Sequence, residues 1–299
     1  MEKKKVIVIC GPTASGKTKL GIELAKKLDG EIVSCDSMQI YKDMDIGTAK
    51  PTTEERKEAA HHLIDFVNPN ERYSVAQFKT DATNCINDIL SRNKTPILVG
   101  GTGLYINSLI YNIQYKEIET DLEYRKKLEE ISIEELYKMA EKIDQQAVEK
   151  ISSTDRKRIS RILELYHTTG KTKTELEKES RKEPEYDYRL FVLNMEREIL
   201  YDRINKRVDI MIENGLIDEV KMLLKKYNEF PTAMQGLGYK EVVEYLNNEC
   251  TNQEMIEKIK QESRRYAKRQ LTWFRQYNDA TWLNALEQDN AEKIIQSIK

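Results

Sequence analysis

Residues 6–18 read VIVICGPTASGKT. The first five are apolar, and the remaining eight, Gly11–Thr18, match the pattern G-x-x-x-x-G-K-[ST]. We predict a buried strand, a phosphate-binding loop and then a helix over Lys17–Leu28, whose apolar residues recur at helical spacing. The backbone N–H groups of such a loop point at an anion, Lys17 adds a positive charge, and Thr18 offers a hydroxyl to Mg²⁺. The pattern indicates a phosphate ligand without saying which one.

Two further apolar runs continue the pattern. EIVSC occupies 31–35 and PILV occupies 96–99, and residues between them (Tyr73–Leu90) have a helical pattern. Continuous apolar runs of this length are typical of strands that are buried on both faces of a parallel sheet. The order strand, loop, helix, strand, helix, strand predicts an α/β fold with a P-loop NTPase-like parallel sheet flanked by helices.

The sequence changes character after about residue 116. No strand pattern occurs from 120 to 185, the charge density is high, and three residue pairs have the spacing of a helix-capping box. These pairs are Thr120/Glu123, Ser132/Glu135 and Thr172/Glu175. The run RLFVL at 189–193 then predicts a return to the sheet. The predicted domains are a core of residues 1–118 and 187–299, and an all-helical insertion of residues 119–186.

Composition excludes several classes of protein. The chain has 299 residues, with 49 Lys and Arg against 51 Asp and Glu, so its net charge of −2 gives no global nucleic-acid signature. Its four cysteines form no C-x-x-C pair, and three histidines are too few for a His-rich metal centre. The first apolar run is too short for a signal-peptide core or a membrane span. We expect a cytoplasmic enzyme without membrane association.

Polar residues follow the second and third predicted strands. Asp36 comes directly after the second, where neighbouring parallel strands deliver residues to one ligand crevice. A carboxylate there can accept a proton from a nucleophile, hold Mg²⁺ or cap a helix, and the sequence leaves these roles open. The third strand ends in Gly100-Gly101 followed by Thr102, at the place where NTP-hydrolysing P-loop proteins usually have a metal-binding Asp. This favours a ligand that approaches the backbone over a hydrolytic site.

Two basic segments stand out against the balanced overall charge. DRKRISR at 155–161 places Arg158 and Arg161 on one helix face, and SRRYAKRQLTWFR at 263–275 has five basic residues and no acid. Basic stripes with interleaved aromatic residues bind phosphodiester backbones, although a solvated helix face has the same appearance. Having two such segments favours a nucleic-acid partner.

Arg203 and Arg207 lie one turn apart on another predicted helix. They could reach the P-loop anion, or pair with the neighbouring acids Asp202 and Asp209. The sequence does not separate these two interpretations.

Six segments together resemble the tRNA dimethylallyltransferases, the isopentenyltransferases that modify an adenine next to the anticodon. They are GPTASGKT at 11–18, DSMQIYKDMDIGTAKPT at 36–52, GGTGLY at 100–105, DRKRISRILELYHTTGK at 155–171, GLGYKE at 236–241 and YAKRQLTWFR at 266–275. The likeness runs nearly end to end. One departure is Ser152-Ser153-Thr154, where the family often has His-Pro-Asn.

The resemblance implies that a dimethylallyl group passes from dimethylallyl diphosphate to the exocyclic amine of adenine in the anticodon stem-loop of tRNA. It implies Asp36 as general base with Thr102 beside it, and Mg²⁺ bound by Thr18. The implied diphosphate ligands are Gly11, Thr13, Ala14, Ser15, Gly16, Lys17, Thr18 and Arg207. The implied tRNA contacts are Asp36, Ser37, Met38, Gln39, Thr102, Arg125, Lys157, Arg158, Arg161, Gln235, Arg265, Lys268, Arg269 and Gln270.

Two rival interpretations remain at this point. A small-molecule P-loop kinase that uses ATP explains the loop and Asp36 equally well, but leaves the basic segments without a role. A nucleotide-gated RNA-binding protein without catalytic activity explains the basic segments and needs no base. Nothing in the sequence demands an oligomer, and we expect a monomer.

Overall fold

The computed structural model describes residues 3–115 and 121–298. Within these residues the chain forms two compact units. The first comprises Met1–Ile110 and Pro184–Lys299, and the second comprises Tyr111–Glu183. The predicted boundary at 118/119 and the predicted helix start at Thr120 lie outside the described residues. No described helix combines the length and the apolar composition needed to cross a bilayer.

The first unit is built on a six-stranded, all-parallel sheet in the order β3-β2-β4-β1-β5-β6. The strands are β1 (Lys5–Cys10), β2 (Gly30–Ser34), β3 (His61–His62), β4 (Thr95–Gly100), β5 (Asp187–Asn194) and β6 (Thr281–Asn284). Its apolar core includes both faces of β1, because Val6 to Cys10 are all at most 1% exposed. The prediction of a parallel α/β sheet with four of these strands is confirmed. The short strands β3 and β6 had not been predicted.

Helices flank this sheet in the first unit, and other helices make up the described part of the second unit. In chain order they are α1 (Lys17–Lys27), α2 (Thr53–Glu58), α3 (Val75–Ser91), α4 (Gly103–Ile110), α5 (Leu122–Glu130), α6 (Ile133–Ile143), α7 (Gln145–Val148), α8 (Arg156–Thr169), α9 (Lys173–Ser180), α10 (Arg197–Glu213), α11 (Leu216–Lys226), α12 (Tyr239–Leu246), α13 (Asn252–Phe274) and α14 (Asn290–Ser297). The described part of the second unit contains α5–α9 and no strand, so the predicted all-helical insertion is confirmed.

The second unit has a small apolar core of its own. Ile159, Ile162 and Leu163 of α8 are at most 1% exposed and pack with Leu128 and Leu136. The helix ends follow local chemistry. Thr172 and Glu175 form the predicted capping box of α9, Ser132 caps α6, Asp121 caps α5, and Gly170 ends α8 with a left-handed φ of 67°.

The long helix α13 contacts the loops that follow β1 and β4 at the carboxyl edge of the sheet. It begins with a Thr251/Glu254 capping box, and its buried face follows helical spacing. That face comprises Met255, Ile259, Ser263, Ala267, Gln270 and Phe274. The opposite face is exposed and carries basic residues, so α13 separates a packed side from a solvent side.

Glu219 of α11 holds a loop that borders the site described below. Its carboxylate accepts hydrogen bonds from the backbone N–H groups of Asp45 (2.9 Å), Ile46 (2.7 Å) and Gly47 (3.2 Å), and from the Tyr239 hydroxyl (2.6 Å). Glu219 is only 9% exposed. Four hydrogen bonds compensate for the desolvation of this buried carboxylate. Without the carboxylate, the same buried donors would lack an acceptor and would destabilise the fold.

We therefore predict that Glu219→Ala lowers the free energy of unfolding by about 3 kcal/mol, because several buried donors lose their acceptor at once. Urea denaturation measures the change. The matched control is Asp218→Ala on the same helix, where the side chain is 82% exposed and the expected loss is below about 0.5 kcal/mol. Equal losses in the two variants would contradict this role of Glu219.

Candidate active site

The loop after β1 has the backbone of an anion-binding loop. Gly11 has a φ of 148°, Ala14 a left-handed φ of 62°, and Gly16 a φ of 88° immediately before α1. A Cβ at Gly11 would lie 2.7 Å from the carbonyl oxygen of Leu193, so only glycine fits there. Ser15 is 1% exposed, and its hydroxyl has no hydrogen-bond partner among the described residues. An unpartnered buried hydroxyl beside a helix N-terminus suits an incoming anion.

Lys17 provides the positive charge of the loop. Its ammonium group donates a hydrogen bond to the Pro12 carbonyl at 2.6 Å. Burial and, to a smaller extent, the charge of Arg207 together lower the pKa of Lys17 to about 8, while Asp36 opposes the shift. The side chain is thus a cation whose charge is sensitive to its surroundings near neutral pH, and an anionic ligand would favour the charged form.

Asp36 lies two residues beyond the end of β2, immediately before a turn that begins at Ser37. Its Oδ1 accepts hydrogen bonds from the backbone N–H groups of Met38 (2.8 Å) and Gln39 (3.3 Å). No helix starts here, so the helix-cap interpretation does not apply. Among the described residues, every hydrogen bond to this carboxylate goes to Oδ1, which leaves Oδ2 for a substrate. The charge of Asp36 acts on Lys17 and on Arg207.

Thr102 ties the turn of Asp36 to the loop after β4. Its hydroxyl accepts a hydrogen bond from the Ser37 N–H at 3.0 Å and donates one to the Ser37 hydroxyl at 3.3 Å. The Thr102 N–H donates to the Cys35 carbonyl at 3.1 Å. Thr102 therefore joins the two loops into one wall by three hydrogen bonds. It does so at the position where hydrolytic P-loop enzymes have an acid.

Arg207 reaches the same site from α10. Its neighbours Ile204 and Val208 are at most 2% exposed, which turns Arg207 inward. The two acids that could have paired with it are engaged elsewhere. Asp202 bonds to Lys206 at 2.8 Å, and Asp209 bonds to Lys260 at 2.7 Å. Burial lowers the pKa of Arg207, and Asp36 opposes that shift. Of the two interpretations of this helix, the one that directs Arg207 to the P-loop agrees with the structure.

These elements enclose a cavity of about 810 Å³. The predicted site residues that line it are Thr13, Ala14, Ser15, Gly16, Lys17, Thr18, Asp36, Ser37, Met38, Gln39, Arg207, Gln235, Arg269 and Gln270. Apolar side chains also line the cavity, among them Ile204, Met211 and Leu237. The cavity thus combines an anion-binding end with a carboxylate and an apolar wall.

Helix α13 supplies two residues whose roles the sequence analysis did not predict. Gln270 is 6% exposed; its Oε1 accepts from the Thr13 N–H at 2.8 Å, and its Nε2 donates to the Gly101 carbonyl at 2.9 Å. This differs from the predicted tRNA contact, because the amide is already used inside the protein. Tyr266 lines the cavity beside Thr102 and Gln270, and burial raises the pKa of its phenol. The helical spacing of the buried face would have identified Gln270; no sequence signal marks Tyr266.

The family described as IPP transferase matches residues 39–277 of this 299-residue chain. A tRNA dimethylallyltransferase of Acetivibrio thermocellus is 52% identical to it, over 98% of this chain and 96% of that protein. The chain belongs to the IPP transferase family. Two solved structures agree with this assignment. A tRNA isopentenylpyrophosphate transferase of Bacillus halodurans has a TM-score of 0.75 and 43% identity, covering 99% of this chain and 96% of its own. A eukaryotic dimethylallyltransferase described as acting on tRNA has a TM-score of 0.82 and 34% identity, covering 99% and 78%.

The second unit of this IPP transferase family member carries the remaining predicted contacts. Arg125 forms two hydrogen bonds with Glu164, at 2.7 and 2.9 Å, and Arg161 lies 3.3 Å from the same carboxylate. Glu164 is 6% exposed, whereas the two arginine side chains are 44% and 43% exposed. Arg158 pairs with Asp155 at 3.3 Å, and Lys157 is exposed. Glu164 therefore fixes two cations at the surface of α5 and α8.

A magnesium ion fits the donor set of the first unit. Mg²⁺ is usually held by one or two protein oxygens together with substrate phosphates and water. Thr18 and Asp36 both line the cavity and offer such oxygens. The described residues contain no group of three or more His, Cys, Asp or Glu that could hold a metal without a ligand. The remaining oxygens around the ion would then come from a phosphate ligand and from water.

The pKa of Lys17 leads to a pH prediction. Bound anion favours the charged ammonium, so affinity for inorganic diphosphate is full below the free-state pKa of about 8 and falls as the pH rises through it. We expect about a 10- to 30-fold loss between about pH 7 and about pH 9.5, because a single group with a pKa of about 8 can lower the affinity at most about tenfold for each pH unit above that pKa. Titration calorimetry without Mg²⁺ measures it.

The control is Lys17→Arg, whose guanidinium stays charged over this range. The diphosphate itself titrates identically in both experiments, so the difference between the two pH profiles isolates Lys17. Parallel profiles would contradict the assignment of the titration to Lys17.

Proposed function

We propose that this chain transfers a dimethylallyl group from dimethylallyl diphosphate to the exocyclic amine of an adenine next to the anticodon of tRNA, and releases diphosphate. The observation that carries the proposal is the arrangement of Lys17, Arg207 and Asp36 around one cavity with an apolar wall. The named relatives of this family member support the same activity.

The transfer requires catalysis both at the attacking amine and at the leaving diphosphate. The amine of adenine is a weak nucleophile, because its lone pair is delocalised into the ring. As the new C–N bond forms, the C–O bond to the diphosphate breaks and the amine loses a proton. Asp36 accepts that proton through Oδ2, while Lys17, Arg207 and the loop N–H groups receive the negative charge that develops on the leaving diphosphate.

Mg²⁺ is part of the proposal. Thr18 would hold it, and the ion would supply charge neutralisation at the diphosphate. The apolar wall at Ile204, Met211 and Leu237 would contact the dimethylallyl chain, which has no polar atoms of its own.

The tRNA would lie on the basic surfaces. Arg265, Lys268 and Arg269 are exposed on α13. In the second unit Arg125, Lys157, Arg158 and Arg161 would contact the anticodon stem-loop. Adenine would leave its stack to reach Asp36, since a base must be unstacked before its amine can react. We propose a monomer that acts in the cytoplasm.

The direct test incubates the protein with labelled dimethylallyl diphosphate, Mg²⁺ and unmodified tRNA, and then digests the tRNA to nucleosides. Labelled isopentenyladenosine is the expected product. ATP turnover without transfer of the label would instead support a P-loop kinase.

Asp36→Asn should reduce the transfer rate about 10²- to 10⁴-fold, the usual contribution of a general base. Asparagine keeps the Oδ1 that accepts from Met38 and Gln39, so the turn stays intact. Affinity for tRNA, measured by filter binding, should therefore be unchanged. Asp29→Asn is the matched control, because Asp29 has a side chain that is 81% exposed. Normal product formation by Asp36→Asn would sink the base assignment and favour a non-catalytic RNA-binding protein.

A second prediction concerns the basic face of α13. Lys268→Ala with Arg269→Ala should weaken tRNA binding and lower the slope of log Kd against log salt by about 1.5, because about 0.7–0.9 counterions are released per phosphate contact. Affinity for inorganic diphosphate should change little. The control replaces Lys26 and Lys27 by Ala; they are exposed at the far end of α1, toward the opposite edge of the sheet. An unchanged slope in the α13 variant would remove this face from the interface.

A further inference from the structure

Gln270 links two loops that face different substrates. Through its amide, α13 contacts the P-loop at Thr13 and the loop after β4 at Gly101, at 2.8 and 2.9 Å. These partners lie 257 and 169 residues away in the sequence. A single buried side chain thus joins the diphosphate end of the cavity to the wall that carries Thr102.

The first half of the P-loop depends on this contact. Pro12 has no N–H, and its carbonyl is taken by Lys17. Ala14 has a left-handed φ of 62°, which is unfavourable for a residue with a Cβ. The Thr13 N–H lies between these two residues and donates to the side-chain amide of Gln270. The Gln270 amide thus stabilises a loop conformation that the residues of the loop do not favour by themselves.

The second contact is equally close. A Cβ at Gly101 would lie 2.2 Å from Nε2 of Gln270, so the amide packs directly on the glycine. The next residue, Thr102, holds Ser37 and with it the turn of Asp36. Tyr266, one turn earlier on α13, interacts with both Thr102 and Gln270. The chain of contacts therefore runs from the P-loop through Gln270 to the proton acceptor.

We propose that Gln270 is a positioning residue that sets the spacing between the diphosphate loop and the Asp36–Thr102 wall. The inference rests on the proposed function, in which the breaking C–O bond and the attacking amine must be aligned between these two walls. Small errors in such alignment cost large factors in rate. Both polar atoms of the Gln270 amide are engaged with Thr13 and Gly101, so the side chain acts through the two loops that it holds.

The first experiment compares Gln270→Met with the wild type and with Gln261→Met. Methionine has nearly the length of glutamine and makes neither hydrogen bond, while Gln261 is exposed on the same helix. We expect Gln270→Met to lower kcat/KM for dimethylallyl transfer about 10- to 30-fold, as expected for two lost hydrogen bonds. The affinity for inorganic diphosphate should fall, while the affinity for tRNA stays within about twofold, since α13 keeps its basic face.

The second experiment approaches the contact from the other side. Gly101→Ala pushes the amide away in the wild-type background, and should reproduce the defect. In a Gln270→Ala background the added methyl group has room, so Gly101→Ala should lower neither kcat/KM nor diphosphate affinity any further. Such non-additivity is the signature of two positions that act through one contact. If Gln270→Met does not fold, this pair of backgrounds tests the same contact.

The proposal would be overturned if the Gln270→Met variant kept the diphosphate affinity and the kcat/KM of the wild type. It would also be overturned if tRNA affinity and melting temperature fell together with diphosphate affinity, because the residue would then serve stability alone. A wild-type protein that transfers no dimethylallyl group, combined with a diphosphate affinity that depends on Gln270, would refute the proposed function and leave the positioning role intact.

Discussion

Two half-buried cations, Lys17 and Arg207, face one carboxylate at the carboxyl edge of the sheet, and the site depends on this imbalance of charge. Burial lowers the pKa values of both Lys17 and Arg207, which means that each would be better solvated in water. Asp36 compensates only part of that cost. The positive charge at the site therefore exceeds what Asp36 alone offsets, and an anionic leaving group would compensate the remainder.

The surrounding structure keeps these groups where the field is useful. The parallel sheet brings the P-loop, the turn of Asp36 and the Thr102 loop to one edge, because they follow three adjacent strands. Hydrogen bonds from Thr102 and Gln270 then fix the loops to each other. In the second unit Glu164 performs a comparable task for Arg125 and Arg161, holding cations at a surface that stays exposed. Fixed charges of this kind need no rearrangement when a ligand arrives.

The sequence predicted the parts of the site that local patterns control. A strand followed by a glycine loop placed Lys17, and strand ends placed Asp36 and Thr102. For Arg207 the sequence left two interpretations open, and the ion pairs of Asp202 and Asp209 with lysines separate them. The sequence did not predict the features that depend only on tertiary contacts. Strands β3 and β6 have two and four residues, too few to show a period, and they pair because longer neighbours offer a free edge. Gln270 lay inside a basic segment; helical spacing places it on the buried face, but its partners are more than 160 residues away, so no local pattern revealed its hydrogen bonds.

The position of Gln270 in the chain has a consequence for biosynthesis. A chain is made from its N-terminus, so the P-loop leaves the ribosome long before α13 exists. β1, at the centre of the sheet, must also wait for β5, whose residues 187–192 pair with 5–10. A partly synthesised chain thus has the P-loop sequence without the contact that shapes it. If Gln270 positions the P-loop as proposed, we expect competence to bind diphosphate only after α13 has been synthesised and has docked.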